Sequence, residues 1–274
     1  MQDVSKTKSG VIRIGVGGWT YEPWRGTFYP AKHPQKRELE YAASRLTSIE
    51  INGTYYGSQK PASFIKWRDE TPDGFVFALK GPRFTTNRRV LAEAGESVER
   101  FFASGVMELG EKLGPINWQF MATKVFDPAD FEAFLKLLPK SIGGRAIQHA
   151  VEVRHDSFRS PEFVALLREY GVAAILAGDS EFPLIADITA PFVYARIMGA
   201  AEAEPLGYAP SALDAWVARA RNLASGVTPG DMATLSPPAK NVAPRDVYLY
   251  VISGAKVRNP AAAAALIERL AVRI

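Results

Sequence analysis

Five ionisable side chains lie inside or directly after short apolar runs of the sequence, where they could carry chemistry. Glu50 lies in SIEIN, Lys80 in FALKG, Glu152 and His155 in VEVRH, and Arg196 in YARIM. Carboxylates can act as general acid and base, and an imidazole can move protons near neutral pH. A lysine or arginine can stabilise a developing oxyanion, and a lysine amine can also form a Schiff base. The predicted catalytic residues are Glu152, Lys80, Glu50 and His155.

These runs belong to a repeated alternation of strand-like and helix-like segments. The predicted strands are residues 11–16, 48–51, 75–79, 117–120, 150–153, 173–176, 192–195 and 247–251. The predicted helices, many of which begin at or near proline, are residues 34–46, 62–70, 97–113, 128–138, 161–170, 211–224 and 260–272. Only residues 180–187, between strands six and seven, lack a helical pattern. This alternation predicts an α/β fold, a TIM-type (β/α)8 barrel, with an open doubly wound sheet as the alternative.

Length and composition set further limits. The 274 residues suit one barrel, so we expect a flexible N-terminal tail at residues 1–10 and a single barrel domain at residues 11–274. The tail has no apolar signal-peptide core, and no apolar run reaches the length of a membrane span, so we expect a soluble, cytoplasmic protein without membrane partners. The absence of cysteine excludes thiol nucleophiles and thiolate metal sites. A net charge of +4 does not indicate a dedicated nucleic-acid binder.

Strand parity predicts which side chains point into the barrel. Successive side chains of a strand face opposite ways, and those facing the helices should be apolar. With Ile49 and Ile51 facing outward, Glu50 and Asn52 point inward. The same parity directs inward the side chains of Arg13, Lys80, Gln119, Glu152, Arg154, Tyr194 and Arg196. Barrel enzymes have their sites at the C-terminal ends of the strands. Arg13 lies low in the first strand, where a structural ion-pair network and a functional role are equally expected.

The balance of these charges favours an anionic ligand. Four inward cations face two carboxylates, and Asp179 follows strand six as a third carboxylate at the mouth. We therefore predict a small phosphorylated, carboxylated or sugar-like molecule as the partner. The predicted binding residues at this stage are Asn52, Gln119, Arg154, Asp179 and Arg196.

The glycine-rich run GVGG at residues 15–18 does not match a dinucleotide-binding loop. That loop needs a third glycine and a helix that begins within it, so that the pyrophosphate meets the helix N-terminus. Here Thr20 occupies the third position, and no helix is predicted before residue 34. The glycines instead allow a sharp turn at the strand end. Trp19 and Tyr21, which follow, form either a pocket wall or a packed loop core.

Metal and nucleic-acid binding are alternative interpretations of the same residues. Oxygen and nitrogen ligands for a divalent metal could come from Glu50, Glu152, His155 and Asp179. The interior cations would repel a metal, so we predict no cofactor. Nucleic-acid binding is suggested by the pI of 9.2, by Arg83, Arg88 and Arg89, and by aromatic side chains that could stack on bases.

The sequence resembles the DUF72 family, also called YecE-like. The similar blocks are GVGGWTYEPWRGTFYP, SIEINGTYYGSQKPASF with its continuation to RVL, LGPINWQF and AVEVRHDSF, in order along nearly the whole chain. The resemblance implies a TIM-type barrel and supplies no reaction, because the family's biochemistry is unassigned. It implies polar site positions at Glu50, Asn52, Thr54, Tyr56, Lys80, Gln119, Glu152, Arg154, His155 and Arg196.

The chain departs from the family pattern at three places. Asn87 stands in the loop after strand three, where the family tends to carry histidine. Residues 197–199 read IMG where the family tends to have His-Gly, and VISGAKVRN replaces an asparagine-rich stretch after strand eight. These departures predict a divergent member with altered or reduced activity.

The resulting hypothesis is an enzyme that acts on a small anionic substrate by hydrolysis, isomerisation or lysis. Glu152 would be acid or base, and Lys80 and Arg196 would hold the developing oxyanion. The walls of the pocket would be Trp19, Tyr21 and Tyr56. A non-catalytic metabolite-binding protein is the alternative suggested by the missing polar groups, and the sequence does not predict an oligomeric state.

Overall fold

A computed structural model describes residues 9–238 and 243–271, which form a closed barrel of eight parallel strands. The strands are β1 (Ile12–Gly17), β2 (Ser48–Ile51), β3 (Val76–Lys80), β4 (Leu113–Gln119), β5 (His149–Glu152), β6 (Ala173–Gly178), β7 (Phe192–Ile197) and β8 (Asp246–Val251). Each strand pairs with its neighbours in the chain, and β1 pairs with β8 to close the ring. The predicted single-domain TIM-type barrel is confirmed. Residues 1–8 of the predicted tail lie outside the described residues.

Helices follow most of the strands. The α-helices are α1 (Glu38–Arg45), α2 (Gly53–Tyr56), α3 (Pro61–Asp69), α4 (Arg83–Thr86), α5 (Gly95–Ala103), α6 (Pro128–Leu137), α7 (Pro161–Tyr170), α8 (Pro210–Ala224) and α9 (Asn259–Ala271). Short 3-10 helices lie at Glu22–Trp24, Gln35–Arg37, Leu91–Ala94, Val106–Lys112, Asp156–Phe158 and Lys256–Arg258. In the part of the chain that the structure describes, no helix lies between β6 and β7, as predicted, and none is long and apolar enough to cross a membrane.

Local signals in the sequence explain where several helices begin. Proline occupies the first turn of α3, α6, α7 and α8. The N–H that proline lacks would have no partner within the helix at this position. The side chains of Asp127 and Ser160 cap α6 and α7 by accepting hydrogen bonds from amides of the first turn. These caps fix the direction in which each helix leaves its loop.

The predicted helix at residues 97–113 and the strand after it have the wrong bounds. Helix α5 ends at Ala103, because Gly105 adopts a φ of 104° that an α-helix cannot continue. The 3-10 helix that follows is broken again at Gly110, with φ of 54°, and β4 then begins at Leu113 rather than at residue 117. An antiparallel hairpin of Ser141–Ile142 and Arg145–Ala146 was not predicted either.

Large and small side chains of the barrel interior come from different strands. Strands β7 and β8 contribute the aromatic rings of Phe192, Tyr194, Tyr248 and Tyr250, and alanines of β3, β5 and β6 lie in the same apolar cluster. The close approach of β1 and β2 needs glycine, because a Cβ at Gly15 would lie 1.9 Å from the carbonyl oxygen of Ser48. Rings from β7 and β8 and alanines from the other strands therefore account for most of this interior cluster, where a typical barrel has mostly branched aliphatic residues.

Charged side chains lie at both ends of the barrel interior. At the N-terminal end, Arg13 donates a hydrogen bond to Asp246 at 2.9 Å and lies 5.5 Å from the ring centroid of Tyr248. Of the two roles expected for Arg13, these contacts fit the structural ion pair. The C-terminal end holds a larger set of buried charged groups, which form the candidate site.

Candidate functional site

The C-terminal ends of four strands bring together the charged side chains that parity directs inward. Glu50 of β2 and Glu152 of β5 are fully buried, Arg196 of β7 is 4% exposed, and Lys80 of β3 is 6% exposed. The strand register places Lys80 opposite Asn117 of β4, and two residues further along β4 Gln119 lies opposite Glu152. We call Glu50, Lys80, Glu152, Arg154 and Arg196 the charged cluster.

Arg196 bridges the two buried carboxylates. Its guanidinium donates to Glu50 Oε1 at 3.0 Å and to Glu152 Oε2. The amide Nδ2 of Asn117 lies 3.4 Å from both carboxylates, and the hydroxyl of Tyr194 donates to Glu50 Oε2. Burial alone would lower the pKa of Arg196, but the two carboxylates outweigh it and raise that pKa. The guanidinium therefore stays charged and holds both carboxylates in place.

Arg154 binds Glu152 from the solvent side. Its Nε and Nη2 donate to Glu152 Oε1 at 2.8 and 2.7 Å, and its guanidinium lies 4.4 Å from the ring centroid of Phe182. Burial would raise the pKa of Glu152, but Arg196, Arg154 and Lys80 together lower it to about 2. Glu152 therefore stays ionised near neutral pH. This favours a role in orienting the two arginines over the predicted role as proton donor or acceptor.

Lys80 lacks such a partner. Its ammonium donates to Gln119 Oε1 at 2.5 Å and lies 4.5 Å from the ring centroid of Tyr55. Among the described residues, no carboxylate oxygen lies within 4.0 Å of its Nζ. Burial is the main cause that lowers the pKa of Lys80 to about 8, and the positive charge of Arg196 acts in the same direction. The carboxylates of Glu50 and Glu152 raise this pKa, but by less. The amine of Lys80 therefore titrates near physiological pH.

The charged cluster carries one more positive than negative charge. Three cations face two carboxylates, and both carboxylates already accept hydrogen bonds from arginine. Two polar atoms of the same layer, Arg196 Nε and Asn117 Oδ1, are buried without a partner. Buried charge is ordinarily paired, so this arrangement suits a ligand that brings the missing negative charge.

Three residues after β2 lie next to the ends of the neighbouring strands or on the rim of the barrel. The hydroxyl of Thr54 donates to the carbonyl oxygen of Lys80 at 2.7 Å, which fixes the end of β3. Asn52 lies over the end of β1, since a Cβ at Gly17 would be 2.8 Å from its Nδ2. Tyr56 is 67% exposed and touches the ring of Tyr55, so it lies on the rim rather than within the cluster.

Three predicted binding residues make their described contacts elsewhere. Trp19 packs edge-on against Trp67 at 5.4 Å, in the apolar layer outside the strands. The ring of Tyr21 lies 4.2 Å from the ammonium of Lys256. The Asp179 carboxylate accepts a hydrogen bond from Trp216 Nε1 at 2.7 Å. These contacts favour a packed loop core over a pocket wall for Trp19 and Tyr21.

The histidines serve structural contacts. His155 Nδ1 accepts a hydrogen bond from the Ser157 amide at 3.1 Å and caps the short 3-10 helix there, so its described hydrogen bonds do not reach the charged cluster. His149 lies at the start of β5 and accepts a hydrogen bond from Trp118 at 3.1 Å. Burial lowers the pKa of His149 to about 4, so it stays neutral.

The alternative metal site is not assembled. Within residues 9–238 and 243–271, no group of three or more His, Asp or Glu side chains is placed to hold a metal ion. Glu50 and Glu152 bind arginine, while His155 and Asp179 have partners of their own. The four side chains of this alternative ligand set therefore do not converge on one point among the described residues.

Four contact residues of the charged cluster were not singled out from the sequence. Asn117 has the same parity as Gln119, and that signal could have identified it. Tyr194 was predicted to point inward but was not assigned to the site. Tyr55 and Phe182 lie outside the strands, where parity gives no information. Their positions follow from the tertiary fold alone.

The chain is similar to the proteins of one family. The profile of the family described as "Protein of unknown function DUF72" matches residues 13–274. The chain is 28% identical over 148 residues to the UPF0759 protein YecE of Escherichia coli K12, and 27% identical over 159 residues to YunF of Bacillus subtilis. These alignments cover 54% and 56% of this chain, and 50% and 54% of those proteins.

A solved structure shows the same fold. The crystal structure of a DUF72 family protein from Thermotoga maritima superposes with a TM-score of 0.71 at 21% identity, covering 95% of this chain and 99% of that one. The alignments with the curated relatives span about half of the length of those proteins. No activity of theirs is therefore transferred to this chain. From the profile match over residues 13–274, this chain belongs to the DUF72 family.

Proposed function

We propose that the protein is an enzyme that acts on a small anionic molecule at the C-terminal mouth of the barrel. The observation that carries the proposal is the buried ammonium of Lys80, which has no carboxylate within 4.0 Å among the described residues. A phosphate or carboxylate of a ligand would supply the charge that this position lacks.

Arg154 is the group best placed to bind the anionic end of the ligand. It is the most exposed member of the charged cluster, with 24% of its side chain accessible. Its Nε and Nη2 bind Glu152, while its Nη1 has no hydrogen-bond partner among the described residues. The face of Phe182 and the carboxylate of Glu152 hold the guanidinium in one orientation, which lowers the entropy lost on binding.

The depth of the charged cluster favours a small molecule over a nucleic acid. Lys80 and Arg196 are almost fully buried, and a polymer backbone would not reach them. In the loop after β3, Arg88 donates to the carbonyl oxygens of Phe84 and Glu93 and so holds the loop itself. The fixed cations could stabilise an oxyanion in hydrolysis, isomerisation or lysis of a phosphorylated, carboxylated or sugar-like substrate.

Calorimetric titration and NMR test this proposal together. Inorganic phosphate, citrate and glucose 6-phosphate would be titrated into the wild type and into Arg154→Met, with uncharged glucose as the ligand control. Arg159→Met is the matched variant, because Arg159 lies in the following loop, is 51% exposed and pairs with Asp156. We expect at least one anion to bind the wild type and Arg159→Met, and to bind Arg154→Met at least tenfold more weakly.

Turnover decides between an enzyme and a binding protein. Mixtures of phosphorylated and carboxylated compounds would be incubated with the protein and followed by phosphorus and proton NMR. Conversion of one compound, lost in Arg154→Met, supports the enzyme. Binding without any conversion would overturn the enzymatic part of the proposal and support the metabolite-binding alternative. Equal anion binding by Arg154→Met would overturn the assigned site.

A further inference from the structure

Lys80 differs from an ordinary buried lysine in the groups that surround it. Its Nζ donates a hydrogen bond to the neutral amide oxygen of Gln119 and lies near the face of the Tyr55 ring. The charged groups that act on it are Arg196 and Arg154, which oppose its proton, and Glu50 and Glu152, which favour it. Both carboxylates are bound to arginine, so the surroundings do not fix Lys80 in its charged form.

This environment increases the fraction of free amine. With the pKa lowered from 10.5 to about 8, about a tenth of Lys80 is unprotonated at pH 7. That fraction is roughly 300-fold larger than for a lysine of ordinary pKa. The lone pair of the free amine is the nucleophile in condensation with a carbonyl group.

We propose that Lys80 forms a Schiff base with the aldehyde or ketone carbon of a small anionic oxo compound, such as a 2-oxo acid or a phosphorylated ketose. The proposal rests on the proposed function above and narrows its reaction class. Arg154 would hold the phosphate or carboxylate, and the carbonyl carbon would lie against Lys80 Nζ.

The condensation is balanced without any further reactant. The lone pair of Nζ forms a bond to the carbonyl carbon, and the carbonyl π electrons move to oxygen, which takes a proton from Nζ. Loss of that hydroxyl as water, with the second Nζ proton, leaves a carbon–nitrogen double bond. Protonation of this imine nitrogen from solvent gives an iminium, which accepts the electron pair of a bond at the adjacent carbon and becomes an enamine. When that bond is C–H, the proton passes to solvent. When it is C–C, the other fragment carries a hydroxyl, loses its hydroxyl proton to solvent and leaves as a carbonyl compound. The narrowed reaction classes are therefore isomerisation and carbon–carbon lysis.

Reductive trapping tests the proposal on the wild-type protein. The protein would be incubated with pyruvate or dihydroxyacetone phosphate and sodium cyanoborohydride at pH 7, and the reduced adducts would be located by peptide mass spectrometry. We expect Lys80 to be modified at least tenfold faster than Lys136, which is exposed and paired with Glu132 on α6. Acetone, which has a carbonyl but no anionic group, should modify Lys80 more slowly than either anionic compound.

Variants and pH separate this reaction from general lysine chemistry. Lys80→Arg keeps a cation but removes the nucleophile, so its trapped adduct should be absent, with circular dichroism confirming that it folds. Modification of Lys80 in the wild type should rise between pH 6 and pH 8 and then level off, because its pKa is lowered to about 8. Exposed lysines should continue to rise toward pH 10.

The outcomes distinguish the two proposals. Lys80 modification no faster than that of Lys136 would overturn the Schiff base. If Arg154-dependent anion binding persisted in the same preparation, the proposed function would stand and the role of Lys80 would be electrostatic. If anion binding were absent as well, both proposals would fail.

Discussion

Replacing Lys80 by methionine should stabilise the folded protein at neutral pH. Methionine is similar in length and needs no hydration, whereas the Lys80 ammonium is 6% exposed and has no carboxylate partner among the described residues. Burial, followed by the charge of Arg196, lowers the pKa of Lys80 from 10.5 to about 8. A pKa difference of one corresponds to about 1.4 kcal/mol, so keeping this proton in the folded state costs roughly 3 kcal/mol.

The direction of the pKa change also fixes the pH window. Below pH 8 both the folded and the unfolded chain carry the Lys80 proton, and the folded state bears the full cost. Between pH 8 and 10.5 the unfolded chain binds more protons than the folded one, so the stability of the wild type rises with pH. The advantage of Lys80→Met is therefore present below pH 8 and lost as the pH rises to 10.5.

The difference in free energy of unfolding between Lys80→Met and the wild type is measured by urea unfolding at pH 7 and pH 10, with tryptophan fluorescence as the signal. The free energy of unfolding of Lys80→Met should exceed that of the wild type by roughly 3 kcal/mol at pH 7, and by less than about 1 kcal/mol at pH 10. Lys136→Met is the control, because the exposed Lys136 should show only a small effect at either pH. A difference that does not change with pH, or a variant less stable than the wild type at pH 7, would refute the reasoning.

Two further substitutions test the interior of the barrel. Arg196→Met should lower the free energy of unfolding by about 3–5 kcal/mol, because the two buried carboxylates lose the guanidinium that bridges them. A loss below about 1 kcal/mol in urea unfolding would contradict that bridging role. Gly15→Ala should lower Tm or prevent folding, since its Cβ would lie 1.9 Å from Ser48 O. At Gly57 nothing lies within 4 Å, so equal Tm values for Gly15→Ala and Gly57→Ala would exclude the close approach.

The sequence by itself determined the architecture and the direction of the strand side chains. The count of strands follows from apolar runs separated by helical patterns, and the inward direction of Glu50, Lys80 and Arg196 follows from a period of two along each strand. Both are local properties, since an outward-facing residue must be apolar wherever helices cover a sheet. The sequence did not determine where the predicted helix at residues 97–113 ends, because that depends on the backbone conformations of Gly105 and Gly110.

Only the tertiary structure decided which of these groups touch and how each one titrates. Asp179 and His155 follow strand ends as Arg154 does, yet the side chains of Asp179 and His155 turn to Trp216 and Ser157. The partner of Asp179 lies on α8, distant in the chain, so no local pattern predicts that contact, whereas the contact of His155 with Ser157 belongs to the cap of the short 3-10 helix that follows β5. The same holds for charge. Closure of the barrel lowers the pKa of Lys80 by burying it and placing Arg196 near it. It lowers the pKa of Glu152, against the effect of burial, by placing Arg196 and Arg154 beside that carboxylate.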